Sequence, residues 1–326
     1  MQPDVSFVIA AFNAEASLAR AVQSALDQRD VSVEVIVVDD CSSDGTVGIA
    51  RGFPPDRVRV IALERNSGPG GARNAGFDAA QGRWIAVLDS DDTVYPNRIE
   101  RMIRRGEKLN AQIVVDNLDV VEEMQAREPA SQRETMFPSA LLAGLSEISL
   151  ADFIAANLMF ERTFSFGYMK PIFERAFLED HALRYDETLR VGEDYILLAS
   201  ALAEGGRCVV EPSVGYSYHV RTGSISRVLE LHHVASMLAA DATFLRDHQL
   251  DASARAAQAR RTRSLEEAAA FLVLVQHLKD RAPLKAVGAA LRDPVALRHL
   301  KMPIAARLRR VARSFNARAF DVAAGE

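Results

Sequence analysis

"WIAVLDSDDTVYP", residues 84–96, ends an apolar run in three aspartates within four positions, Asp89, Asp91 and Asp92, and restarts at Pro96. The run is short and has no polar break, which is how a strand buried on both faces of a parallel sheet reads. Two carboxylates about 4 Å apart repel by roughly 4 kcal/mol at an effective dielectric near 20, so the cluster is costly unless a positive group sits with it. Pro96 suits the first turn of a helix, and Ile99, Met102 and Ile103 follow at helical spacing.

Working outward, "VSFVIAAFN" (5–13), "VEVIVVDD" (33–40) and "RVRVIAL" (57–63) are runs of the same kind, and helix-like stretches at 15–28, 44–51 and 69–80 separate them. This β-α-β-α-β-α-β alternation predicts an α/β fold with a doubly wound, mostly parallel sheet. Ligands of such sheets bind beyond the carboxyl ends of the strands, where the Asp39, Asp40 pair and the 89–92 cluster both fall. Downstream we expect a strand at 112–117, a polar loop and short helix over 122–147, a helix over 192–205 and strands at 207–211 and 214–220. From 228 onward the pattern is almost wholly helical, so the chain divides into 1–227 and a helical extension, 228–326.

Composition sets outer bounds. With 326 residues, 48% of them hydrophobic, the chain can bury a sizeable core. Its two cysteines, Cys41 and Cys208, form no metal-ligand or redox spacing. The acidic "MQPDVSF" start does not read as a signal peptide, and no apolar run approaches the ~18–20 residues of a membrane span. A cytoplasmic protein is expected, at most peripheral on the inner face of the cell membrane. Residues 281–318 hold ten Lys or Arg and one acid, Asp293, and 319–326 hold two acids, so with an overall charge of −5 residues 1–280 carry −12.

Two stretches carry chemistry. Carboxylates at a strand end can hold Mg²⁺ or Mn²⁺, which in turn holds a diphosphate; helix-capping acids are the plainer reading of the same residues. In "NSGPGGARNAG" (66–76) glycines at a helix entry let backbone N–H groups approach a ligand, with Arg73 adding a fork of donors, although a tight turn would look alike. It is a poor dinucleotide fingerprint, because Arg73 stands where the last glycine belongs and the loop follows the third strand.

The order of parts is specific: "VIAAFN", "VVDDCSSDGT", "GPGGARNAG" and "LDSDD" after successive strands, then "GEDY" at 192–195. Together they resemble the inverting GT-A glycosyltransferases of family 2 over roughly residues 4–227, and within them the succinoglycan-type exopolysaccharide transferases. The resemblance implies a Rossmann-like GT-A fold and transfer of a hexose, glucose being the expected sugar, from a UDP-sugar to a hydroxyl of a growing, lipid-linked bacterial saccharide. Position by position, Asp40 with Asp39 behind it would accept from the uracil N3–H, Ala11 and Phe12 would wall the base, and Arg73 would help seat the nucleotide. Asp89 would lie by the ribose, Asp91 and Asp92 by the metal, and Asp194 would be the catalytic base beside Glu193. "YHVRTGSIS" (218–226) resembles the late phosphate-facing segment, giving Arg221, Ser224 and Ser226 to the diphosphate and His219 as a possible metal ligand, though Arg is commoner at position 219. A base is needed because displacement at an anomeric carbon requires an acceptor hydroxyl to lose its proton opposite the leaving group. Without the motif, Asp194 reads equally as an acid favoured by a helix N-terminus.

The alternatives are a nucleotidyltransferase, which would want its glycine-rich loop after the first strand, and a catalytically silent carbohydrate-binding or scaffold protein on the same fold. In the tail, "IAARLRRVARSF" (304–315) sets Ile304, Leu308, Val311 and Phe315 in one stripe beside Arg307, Arg309, Arg310 and Arg313, which reads as a membrane-interface helix or as a packing helix with solvated arginines. A nucleic-acid partner is not expected of a chain this acidic elsewhere.

Overall fold

The computed structural model describes residues 2–122, 133–161, 164–220 and 229–300. The first four apolar runs form strands β1 (Val5–Ala11), β2 (Val33–Asp39), β3 (Val58–Ala62) and β4 (Trp84–Val87), alternating with α1 (Leu18–Leu26), α2 (Thr46–Arg51) and α3 (Gly68–Ala79). Their pairing is parallel in the order β3-β2-β1-β4, with β1 and β2 in register from Val5 opposite Val33 to Ala11 opposite Asp39. Val5, Phe7, Val8 and Ile9 are all buried, as expected of a strand covered on both faces. Helix α1 covers the sheet with Leu18, Ala21, Val22, Ala25 and Leu26, an i, i+3, i+4, i+7, i+8 stripe.

Beyond β4 the sheet changes character. After the two-residue β5 (Thr93–Val94) and α4 (Arg98–Leu109), β6 runs from Ile113 to Glu122, longer than the expected 112–117 because Val121 remains buried while Asp119 accepts a 2.8 Å bond from the Tyr95 hydroxyl. Between 133 and 155 the described chain forms β7 (Glu134–Thr135), α5 (Ser139–Ala143) and α6 (Leu150–Ala155). The three-residue β8 (Ile172–Glu174) then wedges between β4 and β6, antiparallel to both. After α7 (Arg175–Asp180) and α8 (Glu193–Ala203), β9 (Cys208–Val220) pairs parallel with β6 and antiparallel with β5. The sheet is therefore mixed on this side, and parallel pairing is concentrated in its first half.

The two strands expected at 207–211 and 214–220 are one strand with register shifts opposite Asp116 to Leu118. The irregularity makes room for a buried ion pair. Arg98 is 0% exposed and grips Asp116 through Nε and Nη2 at 2.8 and 2.9 Å. Any Cβ on Gly215 would lie 2.1 Å from the Asp116 carboxylate and 2.7 Å from Arg98 Cγ, so only glycine fits there.

The C-terminal region is helical as expected, with α9 (Leu231–Asp247), α10 (Ala252–Lys279) and α11 (Pro283–Arg292). Helices α9 and α10 pack on the sheet domain instead of building a core wholly apart, since Phe244, Leu250, Ala254 and Ala257 belong to the main hydrophobic cluster. A polar clamp joins the parts. Arg261 of α10 pairs with Asp241 of α9 at 3.0 Å, donates to the Asn157 carbonyl at 2.9 Å and lies 3.5 Å above the Tyr195 ring of α8. No described helix is long and apolar enough to cross a membrane.

Candidate active site

Helix α3, the end of β4, the approach to β8 and the start of α8 converge. Arg73, on α3 behind the glycine-rich turn, reaches Asp89 at 2.8 Å, Glu193 at 2.8 Å and Asp194 at 3.3 Å. Lys170, just ahead of β8, bridges Asp89 and Asp194 at 2.8 Å each. Asp89 ends β4 while Glu193 and Asp194 open α8, so residues more than a hundred positions apart share one buried charge network.

Burial alone would raise the Asp194 carboxyl, but Arg73 and Lys170 outweigh it and hold it below the usual carboxylate range. Burial works against the Asp89 charge in the same way, and Lys170 and then Arg73 overcome it and depress that carboxyl too. Burial opposes the Lys170 charge too, yet Asp194 and Asp89 keep its ammonium protonated well above the ordinary lysine range. Two cations thus face three carboxylates, and they hold Asp89 and Asp194 in the ionised form.

The positive partner demanded by the 89–92 cluster is, for Asp89, these two side chains. Asp92 is treated differently. It is 1% exposed, its Oδ1 accepts the His219 N–H at 2.8 Å and its Oδ2 accepts the Tyr216 hydroxyl at 2.7 Å. Burial, then the charges of Asp89 and Asp91, push its carboxyl well above the usual range. Asp91 and the His219 ring are half-buried, and His219 Nε2 lies 3.1 Å from the Thr93 hydroxyl. Asp91, Asp92 and His219 do not converge as donors, and among the described residues no group of three His, Cys, Asp or Glu could hold a metal ion.

Asp92→Ala is therefore expected to cost about 1–3 kcal/mol by stranding the Tyr216 hydroxyl and the His219 N–H, whereas Asp92→Asn, whose Oδ1 can accept the His219 N–H while its amide N–H donates to the Tyr216 oxygen, should cost less. Urea denaturation of the two variants reads this directly. Equal stability of Ala and Asn would show that carboxylate repulsion, not these two bonds, dominates the position.

Beyond the neighbouring end of β2, Asp40 receives the N–H groups of Ser67 and Gly68 at 2.6 and 2.9 Å. Gly68 takes φ +80°, the left-handed region in which glycine carries no penalty, and so turns its N–H onto Asp40 at the start of α3. Burial raises the Asp40 carboxyl, with the two N–H bonds opposing. Behind it Asp39 accepts from the Ser42 N–H at 3.1 Å, and its buried Oδ1 has no hydrogen-bond partner among the described residues. Ala11 is buried, while Phe12 is 52% exposed. Arg221, Ser224 and Ser226, and the 304–315 stripe, lie outside the described residues.

The structure thus unites Arg73, Asp89, Glu193 and Asp194, and sets Ala11, Phe12, Asp39 and Asp40 at the neighbouring strand ends. It adds Lys170 and Tyr216, which sequence reasoning missed. Lys170 stands alone in "YMKPIF" before a three-residue strand that has no periodicity to mark it.

Known proteins resemble this chain in sequence and in fold. The sequence profile described as Glycosyl transferase family 2 matches residues 6–176. The chain is also 59% identical to the succinoglycan biosynthesis protein ExoO of Rhizobium meliloti (strain 1021) over 313 residues, 96% of this chain and 88% of that protein. The chain belongs to glycosyltransferase family 2. Over a shorter stretch, 36% of this chain and 46% of the relative, it is 34% identical to WfgD of Escherichia coli, a UDP-Glc:alpha-D-GlcNAc-diphosphoundecaprenol beta-1,3-glucosyltransferase. Among solved structures, S. aureus TarS 1-349 in complex with UDP-GlcNAc superposes with a TM-score of 0.64 at 17% identity, covering 89% of this chain and 92% of TarS 1-349, a likeness of fold. Membership of this glycosyltransferase family sets aside the nucleotidyltransferase reading.

Proposed function

We propose that this chain is an inverting hexosyltransferase of exopolysaccharide synthesis, moving glucose from UDP-glucose to a hydroxyl of a lipid-linked saccharide at the inner face of the cell membrane. The observation that carries the reading is the meeting of Asp194 with Asp89, Arg73 and Lys170 at the strand ends. The names of the relatives support it: ExoO for succinoglycan, WfgD for a UDP-Glc donor and a diphosphoundecaprenol acceptor.

In this reading the donor's base stacks by Phe12 and Ala11, and its imide N–H meets the Asp39, Asp40 pair, where the orphaned Asp39 Oδ1 is an acceptor waiting for a donor. The acceptor hydroxyl approaches Asp194. As its oxygen bonds to the anomeric carbon and the bond to the diphosphate breaks, the carboxylate takes the hydroxyl proton. A depressed carboxyl can do this because the hydroxyl grows far more acidic as the new bond forms. Arg73 and Lys170 keep the carboxylate fixed in place and ionised before the hydroxyl arrives.

Among the described residues, the turn at 89–92 is where a divalent cation would fit. Asp89 is neutralised by Arg73 and Lys170 and Asp92 is enclosed, so Mg²⁺ or Mn²⁺ would rest on Asp91 with the donor's diphosphate and water, a set Mg²⁺ commonly accepts. There it would offset charge on the departing UDP. Asp91→Asn should then weaken UDP binding about tenfold or more in Mn²⁺ and leave it unchanged in EDTA, measured by titration calorimetry; identical affinities in both buffers would remove the metal from the account. The donor itself is read by thermal shift across nucleotide sugars, since a ligand at a hundred times its dissociation constant adds roughly 2.7 kcal/mol. UDP-sugar hydrolysis separates this reading from a silent scaffold, which would bind donor and release no sugar.

A further inference from the structure

Helix α11 is turned the unusual way round. Its alanines face inward: Ala286 is buried with Phe271 and Leu274 of α10, and Ala290 packs against the same small cluster. Its large apolar residues face outward, with Leu284 88%, Val287 57% and Leu291 78% exposed. At 3.6 residues per turn, Leu284, Val287 and Leu291 fall within an arc of about 60°, a continuous apolar stripe, and Lys285 and Arg292 lie together along one border of it. A helix that only packed onto α10 would carry this stripe on its other side.

We infer that α11 is a lipid-docking face, laying Leu284, Val287 and Leu291 into an anionic bilayer surface while Lys285 and Arg292 meet the headgroups. Charge decides among the occupants. Residues 281–292 contain Arg281, Lys285 and Arg292 and no acid, and residues 294–320 contain seven Lys or Arg and no acid. A second copy docking on the stripe would set these cations against each other, and the basic chain beyond residue 300 meets the same objection. An anionic membrane takes up the apolar side chains and supplies the missing negative charge. The inference goes beyond the transfer reaction and does not depend on which donor or acceptor is used.

Co-sedimentation of the full chain tests it, with vesicles of phosphatidylcholine alone and vesicles in which about a third of the lipid is phosphatidylglycerol. The chain is expected to bind the anionic vesicles only, and less as salt rises. Leu284→Ser with Leu291→Ser should weaken binding at least tenfold, and Lys285→Gln with Arg292→Gln about tenfold with a flatter salt dependence. Both pairs are exposed, so their melting temperatures should match wild type. The inference is overturned if the full chain does not bind anionic vesicles, if the serine pair binds like wild type, or if the wild-type chain is a dimer that the serine pair converts to monomers.

Discussion

Replacing Asp194 by Asn lowers the rate of sugar transfer by about two to four decades and leaves donor affinity close to wild type, the usual worth of a positioned base. The fold survives the change. Lys170 retains Asp89 at 2.8 Å, and Arg73 retains Asp89 and Glu193, so neither cation is left alone. Steady-state kinetics beside UDP titration separates the two quantities; a variant that turns over normally would place the base elsewhere.

The same carboxyl sets a pH dependence. Its value in the fold is depressed, by Arg73 and Lys170 against burial, below the ~3.9 of an unfolded aspartate. Its contribution to stability is therefore present above about pH 4 and is lost as pH falls through the depressed folded value. On the basic side Lys170, held above the ordinary lysine range, keeps the network intact through neutrality.

Arg98→Met has the largest expected effect on stability, about 3–5 kcal/mol, because it strands the buried Asp116 carboxylate. Burial already raises that carboxyl against the pull of Arg98. Arg98 also donates to the Lys170 carbonyl and stacks over Tyr216, whose hydroxyl holds Asp92, so it supports the active site from beneath. Adding Asp116→Leu should recover much of the loss, since well-packed apolar pairs often replace buried ion pairs at little cost. Chemical denaturation of the single and double variants measures the cycle, and a single variant within 1 kcal/mol of wild type would show that the pair matters little.

The contrast between α3 and β8 shows what the sequence disclosed. Strands β1 to β4 were legible because each is a near-continuous apolar run closed by polar or loop residues, and the acids at 39–40 and 89–92 marked the functional edge. The union of Asp89 with Asp194 was reached only through family resemblance, as no local spacing links them. Lys170 was invisible for a physical reason. Its strand is three residues long, and its partners become partners only when β8 enters between β4 and β6. Likewise Asp92 looked like one acid of a metal cluster, because nothing in "LDSDD" reveals that Tyr216, 124 positions away, will enclose it.

Real-time NMR of donor hydrolysis tests the central claim most directly, because water can stand in for the acceptor. With UDP-α-glucose, or another UDP-α-hexose if the thermal screen selects one, the first sugar released by the wild-type chain should be the β-anomer, and Asp194→Asn should release almost none. A first-formed α-anomer, or equal release by wild type and Asp194→Asn, would contradict an inverting displacement with Asp194 as its base.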